Sequence, residues 1–347
     1  MATTSLRIAA ALLLTLAGLE LLFRLLPVST ATQTGYYGDP DLLVYPAGHR
    51  WVTSTGWDLR NAQRPQANAQ GFLADHDFVR DPNAVALIGD SYVEGSMLPA
   101  EDRAGAQLER LLPGRQVFAM GAPGTALLDY AQRIRWAHES FGVRDMVLLL
   151  EKGDARQVRC NSGNVHSRCL DPATLAPRVQ HFPEPGPLKR LARHSALLQY
   201  VLGQIKLDGL RFVTEMLTRQ APTMEAGKHE RAVPSQAALA NERRVIDAAV
   251  REFFSVAKPH VEGRLIILMD GVRNPANKPT GPDEYQRAYL MDQLRQGGAQ
   301  VVDLEPVYAR HAAASPLSLD VGPYDGHLNR LGLALVTQVG ADALGKP

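Results

Sequence analysis

The sequence predicts a doubly wound α/β fold: a five-stranded parallel sheet, helices on both faces, a helical insertion and an N-terminal hydrophobic helix. Three observations predict it. Short apolar runs at 84–88, 116–120, 145–150, 264–269 and 299–304 have the length and composition of strands buried on both faces. Segments of helical periodicity alternate with these runs, which implies parallel strands joined by crossover helices. The first three runs lead into Gly89, Gly121 and Glu151, at the carboxyl ends of strands, where open parallel sheets bind ligands.

The elements follow in order. Residues 6–26 read LRIAAALLLTLAGLELLFRLL. The uncharged part, 8–19, is too short to cross a bilayer, but carried through Leu26 the helix is roughly 30 Å long, enough to span one. Glu20 and Arg24 stand one turn apart and can pair. A retained anchor is the first reading of 1–30. A signal peptide cleaved near Ser29-Thr30-Ala31 is the alternative, disfavoured by the charges before that site. Residues 31–80, punctuated by Gly, Pro and Asn, read as a connector over the domain edge. A helix is expected over 101–112, closed by Pro113-Gly114, and another over 126–141, with Leu127, Tyr130, Ile134 and Ala137 on one face. A polar loop and a Pro-rich connector follow Asp154. Residues 188–217 have long helical patterns, 218–234 are polar and turn-rich, and 241–254 are helical again. The region 187–257 therefore reads as a helical insertion within one domain spanning 81–347. Helices over 284–296 and 328–344 complete the chain.

Chemistry concentrates at two places. The first strand leads directly into Gly89-Asp90-Ser91, and Tyr324-Asp325-Gly326-His327 precedes the final helix. A serine hydroxyl is a weak nucleophile at neutral pH and needs an adjacent base, which in turn needs a group to fix its tautomer. Gly-Asp-Ser alone is a common turn or helix cap. The strand before it and the Asp-Gly-His near the chain's end raise it to a candidate active site. Residues two apart in an extended segment point the same way, so Asp325 can reach the near nitrogen of His327 and leave the far one for Ser91.

These residues resemble the SGNH/GDSL hydrolase superfamily, from about Gly71 to the C-terminus. The family's nucleophile maps onto Ser91, with Gly95 following. Its oxyanion glycine maps onto Gly121 in Val117–Gly124, and its acid and base map onto Asp325 and His327. The third block, Gly-x-Asn-Asp in the family, maps onto Glu151-Lys152-Gly153-Asp154, so Gly153 stands where the oxyanion asparagine is expected. Asp-x-His in place of Asp-x-x-His resembles an envelope branch related to polysaccharide O-acetylation. The resemblance implies an oxyanion hole from the amides of Ser91 and Gly121, with a third donor from the Gly153 amide, Asn161 or Asn164. Asp90, Lys152, Asp154 and Arg273 are rim candidates, with a solvated loop or a structural ion pair as the plainer reading for the last three. His49, His76 and His138 match no catalytic block.

Composition narrows the classes. The chain has 347 residues, a net charge of +1 and 21% charged residues with no basic stripe, so nucleic-acid binding has little electrostatic support. Cys160 and Cys169 lie close together in a polar loop. An exported chain would join them in a disulfide, against the alternatives of free thiols or a metal site with His166, which lacks further ligands. Gly121-Ala122-Pro123-Gly124 lacks the spacing of a dinucleotide fingerprint, and no cofactor is expected. The leading expectation is an exported serine esterase acting on an O-acyl group, acetyl on an envelope carbohydrate first. The alternatives are an O-acyltransferase sharing the same acyl-enzyme and a non-catalytic envelope protein on the same fold.

Overall fold

The computed structural model describes residues 2–151, 153–162, 167–181, 185–205, 236–273, 282–322 and 324–345. The chain divides into two compact units. The larger is formed by 33–49, 66–182 and 230–347, the smaller by 1–32, 50–65 and 183–229.

The larger unit is built on five parallel strands: β1 (Val85–Gly89), β2 (Val117–Gly121), β3 (Asp145–Leu150), β4 (Leu265–Met269) and β5 (Gln300–Asp303). They lie in the order β2-β1-β3-β4-β5. The helices of this unit are α1 (Ser91–Glu94), α2 (Ala104–Leu111), α3 (Leu127–Phe141), α4 (Gln236–Ala257), α5 (Pro282–Gln296), α6 (Glu305–Ala314) and α7 (Arg330–Gly345). The period-2 geometry of a strand sorts the apolar runs cleanly between the two faces. Ala86, Ile88, Phe118, Met120, Met146, Leu148 and Ile267 face a core shared with α3, α4 and α5. Their neighbours Val85, Leu87, Val117, Ala119, Val147, Leu149 and Ile266 face a core shared with α2, α6 and α7. β2 lies on one side of β1 and β3 on the other, so the order reverses there, which is where open parallel sheets bind ligands beyond the carboxyl ends of their strands.

Three sequence expectations change. The helix expected at 241–254 as part of the insertion is α4, whose Val245, Ala249 and Phe253 pack in the sheet core, so it is a covering helix of the sheet. The stretch 31–80 is more than a connector at an edge: Leu42, Val44, Phe72 and Phe78 are buried in the same core, and Phe78 stacks on Phe118 at 4.7 Å. Helix α6 stands where the sequence pattern predicts none. It carries little amphipathic pattern, but its start is legible in Asp303-Leu304-Glu305-Pro306, where the Asp303 carboxylate accepts from the Glu305 amide and proline stands in the first turn.

The smaller unit contains the N-terminal helix (Ala2–Leu25), a two-stranded hairpin (Thr53–Thr55 with Arg60–Gln63) and the short helices Pro187–Ala192 and Ala196–Leu198, continued by a wider turn over Gln199–Gln204. The span Thr3–Leu25 is long and apolar enough to cross a membrane, and none of it is buried. Cys160 and Cys169, in the larger unit, form a disulfide, with Cα atoms 5.0 Å apart.

Candidate active site

The site starts where β1 ends. Asp90 caps α1, its carboxylate accepting from the Tyr92 amide at 2.9 Å, and Ser91 is the first helical residue. The helix closes after one turn because Gly95 takes a left-handed conformation (φ 60°) and donates to the Ser91 carbonyl at 2.9 Å. Gly121, at the end of β2, admits α1 to the sheet. A Cβ there would lie 2.2 Å from the Glu94 amide nitrogen. The amide of Ser91 is among the helix-start donors that have no partner within the helix.

The segment before α7 brings the second half. Asn329 caps α7, accepting from Leu331 and Gly332 at 2.9 Å each, which leaves His327 free of that duty. Val321 donates to the His327 carbonyl and Gly322 to the Asp325 carbonyl, closing a turn that presents residues 325–327. Ser91 Oγ and His327 Nε2 are 2.7 Å apart, across 236 positions of sequence. His327 Nδ1 lies 2.5 Å from Asp325 Oδ1, and the same oxygen accepts from the His327 amide at 2.9 Å. Burial lowers the pKa of His327, but the hydrogen bond and charge of Asp325 outweigh it and raise it above the ordinary 6.5.

Of the expected rim residues, two lie inside. Asp154 is fully buried, accepting from Tyr130 Oη and the Glu151 amide at 3.0 Å each. Burial, with the nearby charges of Asp90 and Glu151, pushes its pKa well up. It therefore lines no rim. Asp90 is 9% exposed, and burial pushes its carboxyl up to about 7. Arg273 is spent on the protein itself. Its guanidinium donates to Asp320 and the Gly326 carbonyl at 2.5 Å each, to Tyr92 Oη at 2.8 Å and to Asp270 at 3.0 Å. It is a tether for the 325–327 turn rather than a grip for substrate. The third oxyanion block also differs from expectation: the Gly153 amide donates to the Glu151 carboxylate and so is already engaged. Asn161 is exposed and its side-chain oxygen accepts from Gln180 at 2.8 Å. Lys152, Asn164 and His166 lie outside the described residues.

Two groups that support the site are not predicted by the sequence motifs. Arg133, 1% exposed, donates to the Gly89 carbonyl at 2.6 Å, the Met120 carbonyl at 3.1 Å and Thr125 Oγ1 at 3.0 Å. It ties the ends of β1 and β2 together beneath Ser91. An arginine on the apolar side of α3, one residue before Ile134, is its only sequence signal. Tyr92 lies over His327, ring centroids 5.0 Å apart, and its hydroxyl accepts from Arg273.

The fold and this side-chain constellation define a doubly wound α/β protein with a hydrogen-bonded Ser–His–Asp array at the carboxyl end of β1, where its strand order reverses. No family model and no curated protein sequence matches the chain. Among solved structures it is similar to a member of the lipolytic protein G-D-S-L family from Veillonella parvula, at 10% identity over 76% of this chain and 99% of that one, with a TM-score of 0.40. It is also similar to a variant of Axe2, an acetyl xylan esterase from Geobacillus stearothermophilus, at 11% identity over 77% and 96% of the two chains, with a TM-score of 0.38. A third is LAE5, an alpha/beta hydrolase enzyme from the metagenome of Lake Arreo, at 14% identity over 78% and 99%, with a TM-score of 0.39. At such TM-scores these likenesses add nothing to what the sheet order itself shows.

Proposed function

We propose that this protein is a serine esterase of SGNH type that removes an O-acyl group, acetyl first, from a carbohydrate of the cell envelope. The observation that carries the reading is the continuous array Ser91 Oγ–His327–Asp325, with spacings of 2.7 and 2.5 Å. His327 takes the Ser91 proton as Oγ attacks the acyl carbon. Asp325 holds the ring and stabilises the imidazolium. The amides of Ser91 and Gly121 receive the oxyanion. Collapse expels the sugar alcohol, which takes the proton from His327, and leaves an acyl-serine. Water, deprotonated by the same imidazole, releases the acid and restores the hydroxyl. The resemblance to the O-acetylation branch supports the acetyl-carbohydrate assignment. The apolar N-terminal helix and the disulfide support a chain held at a membrane with its larger unit in an oxidising compartment.

The test is covalent labelling of the folded protein by a serine-reactive fluorophosphonate, together with turnover of p-nitrophenyl acetate. Labelling that Ser91→Ala abolishes supports the reading. Release of free acetate with and without a sugar acceptor separates hydrolysis from transfer. One observation favours a second reading, a non-catalytic protein on this fold: the Gly153 amide, a candidate third oxyanion donor, is tied to Glu151. A folded protein that does not label would establish that reading instead.

A further inference from the structure

We propose that residues 187–205 form a second membrane contact, lying in the interfacial layer of an anionic bilayer beside the point where the N-terminal helix leaves it. The inference rests on reading that helix as a membrane anchor.

The segment is clamped to the helix's last turns. The Glu20 carboxylate accepts from Ser195 Oγ at 2.8 Å, the Leu197 amide at 3.0 Å and the Ala196 amide at 3.1 Å, while also pairing with Arg24 at 2.7 Å. Arg24 donates to the His194 carbonyl at 3.3 Å, and Phe23 stacks on Tyr200 at 4.3 Å. Glu20 precedes the helix end at Leu25 by about 7.5 Å of helix rise, so the clamped segment sits at headgroup depth.

What the segment presents suits that depth. Leu191 is 67% exposed, Leu202 55%, Leu198 40% and Ile205 38%. Trp57, 62% exposed at the hairpin, joins them through its carbonyl, which accepts from Tyr200 Oη at 2.8 Å. Exposed leucines beside an interfacial tryptophan are costly in water and favourable at a membrane boundary. Lys189, Arg190 and Arg193 precede the apolar stretch, and among the described residues no carboxylate pairs with them. Lys189 and Arg193 also line a cleft of about 500 Å³ with Leu198 and Leu202, so its lining combines cationic and apolar side chains, as a lipid phosphate and its acyl chain require. A bilayer is the favoured occupant, because the surface is continuous with the helix that crosses it and carries the complementary charge.

The test uses the full chain in vesicles of phosphatidylcholine with and without phosphatidylglycerol. The only two cysteines are joined to each other, so a Leu202→Cys variant takes a single environment-sensitive fluorophore, and a Val179→Cys variant, 55% exposed in the larger unit, serves as the aqueous reference. The expected result is that label at 202 is quenched by shallow spin-labelled lipid and shielded from iodide, while label at 179 shows the reverse. Replacing Lys189, Arg190 and Arg193 together by Gln is expected to cut the lipid quenching at least about threefold in anionic vesicles. Free access of iodide to 202 in chains that float with the vesicles overturns the inference but leaves the anchor. Protection of 202 from both quenchers, the mark of a second protein copy over this face, overturns it as well. Chains that do not float with the vesicles remove the anchor reading and this inference together.

Discussion

Replacing Asp325 by Asn isolates the charge of the array from its geometry. Oδ1 accepts two bonds, from the His327 amide and from Nδ1. The amide nitrogen of an asparagine in that place would face the backbone N–H, so its oxygen is held there and the ring keeps the Nδ1–H tautomer. What disappears is the negative charge opposite the developing imidazolium. A hydrogen bond to a charged group contributes about 1.5–3 kcal/mol against about 1 for a neutral one, and a unit charge pair near 4 Å at an effective dielectric of 20 amounts to about 4 kcal/mol. The transition state should therefore lose about 2–4 kcal/mol, or about 30- to 1000-fold in kcat/KM. The sign of the pH effect follows from the opposed causes at His327. Burial lowers its pKa, and Asp325 raises it above 6.5. Without the Asp325 charge the pKa falls, although Asp90 and Glu94 still raise it, and since the base acts when neutral, the acidic limb of the rate profile moves to lower pH. Hydrolysis of p-nitrophenyl acetate from pH 5 to 9 measures both quantities. An unmoved limb, or a loss as complete as that of Ser91→Ala, would refute the reasoning.

Three other perturbations test separate parts of the site. Gly153→Asn, whose Cβ would lie against the flexible ends of Glu151 and Gln157, should raise kcat towards p-nitrophenyl acetate about tenfold by supplying an oxyanion donor; a fall or no change would sink the assignment of the weakened hole to this position. Arg133→Met leaves the Gly89 and Met120 carbonyls and Thr125 Oγ1 without their shared donor, and should cost about 3–5 kcal/mol, read as a lower urea midpoint at unchanged m. Asp90 binds its proton more tightly folded (about 7) than at its ordinary 3.8, so folding stability falls as pH rises through that window; Asp90→Asn, which preserves the cap, should flatten the decline of Tm between pH 4 and 7. An equally steep decline in the variant would assign it to other groups.

The sheet is legible because strand formation is local. All five apolar runs are strands within a residue or so of their expected bounds, and alternate residues of each run face opposite cores. Helices α2 and α3 announce themselves by periodicity, α5 and α7 are legible only as helical stretches, and α6 only by the residues at its start. The limits of the insertion differ from expectation because the pattern of α4 is that of any amphipathic helix; which sheet it covers is not written in it. In the site, Ser91, Asp325 and His327 are readable as residue types in chain order. The engagement of the Gly153 amide, the burial of Asp154 and the four acceptors around Arg273 are not.

The amino-acid order by itself determined where strands form, which of their side chains point to each face, and which residue types stand at the strand ends, since all three depend on neighbours a few positions away. Only the tertiary structure decided that position 91 and position 327 touch, and that Arg273 and Arg133 spend their hydrogen bonds within the protein. Those outcomes depend on how helices seat on a twisted sheet and on how many acceptors surround a buried cation, and no local pattern encodes either.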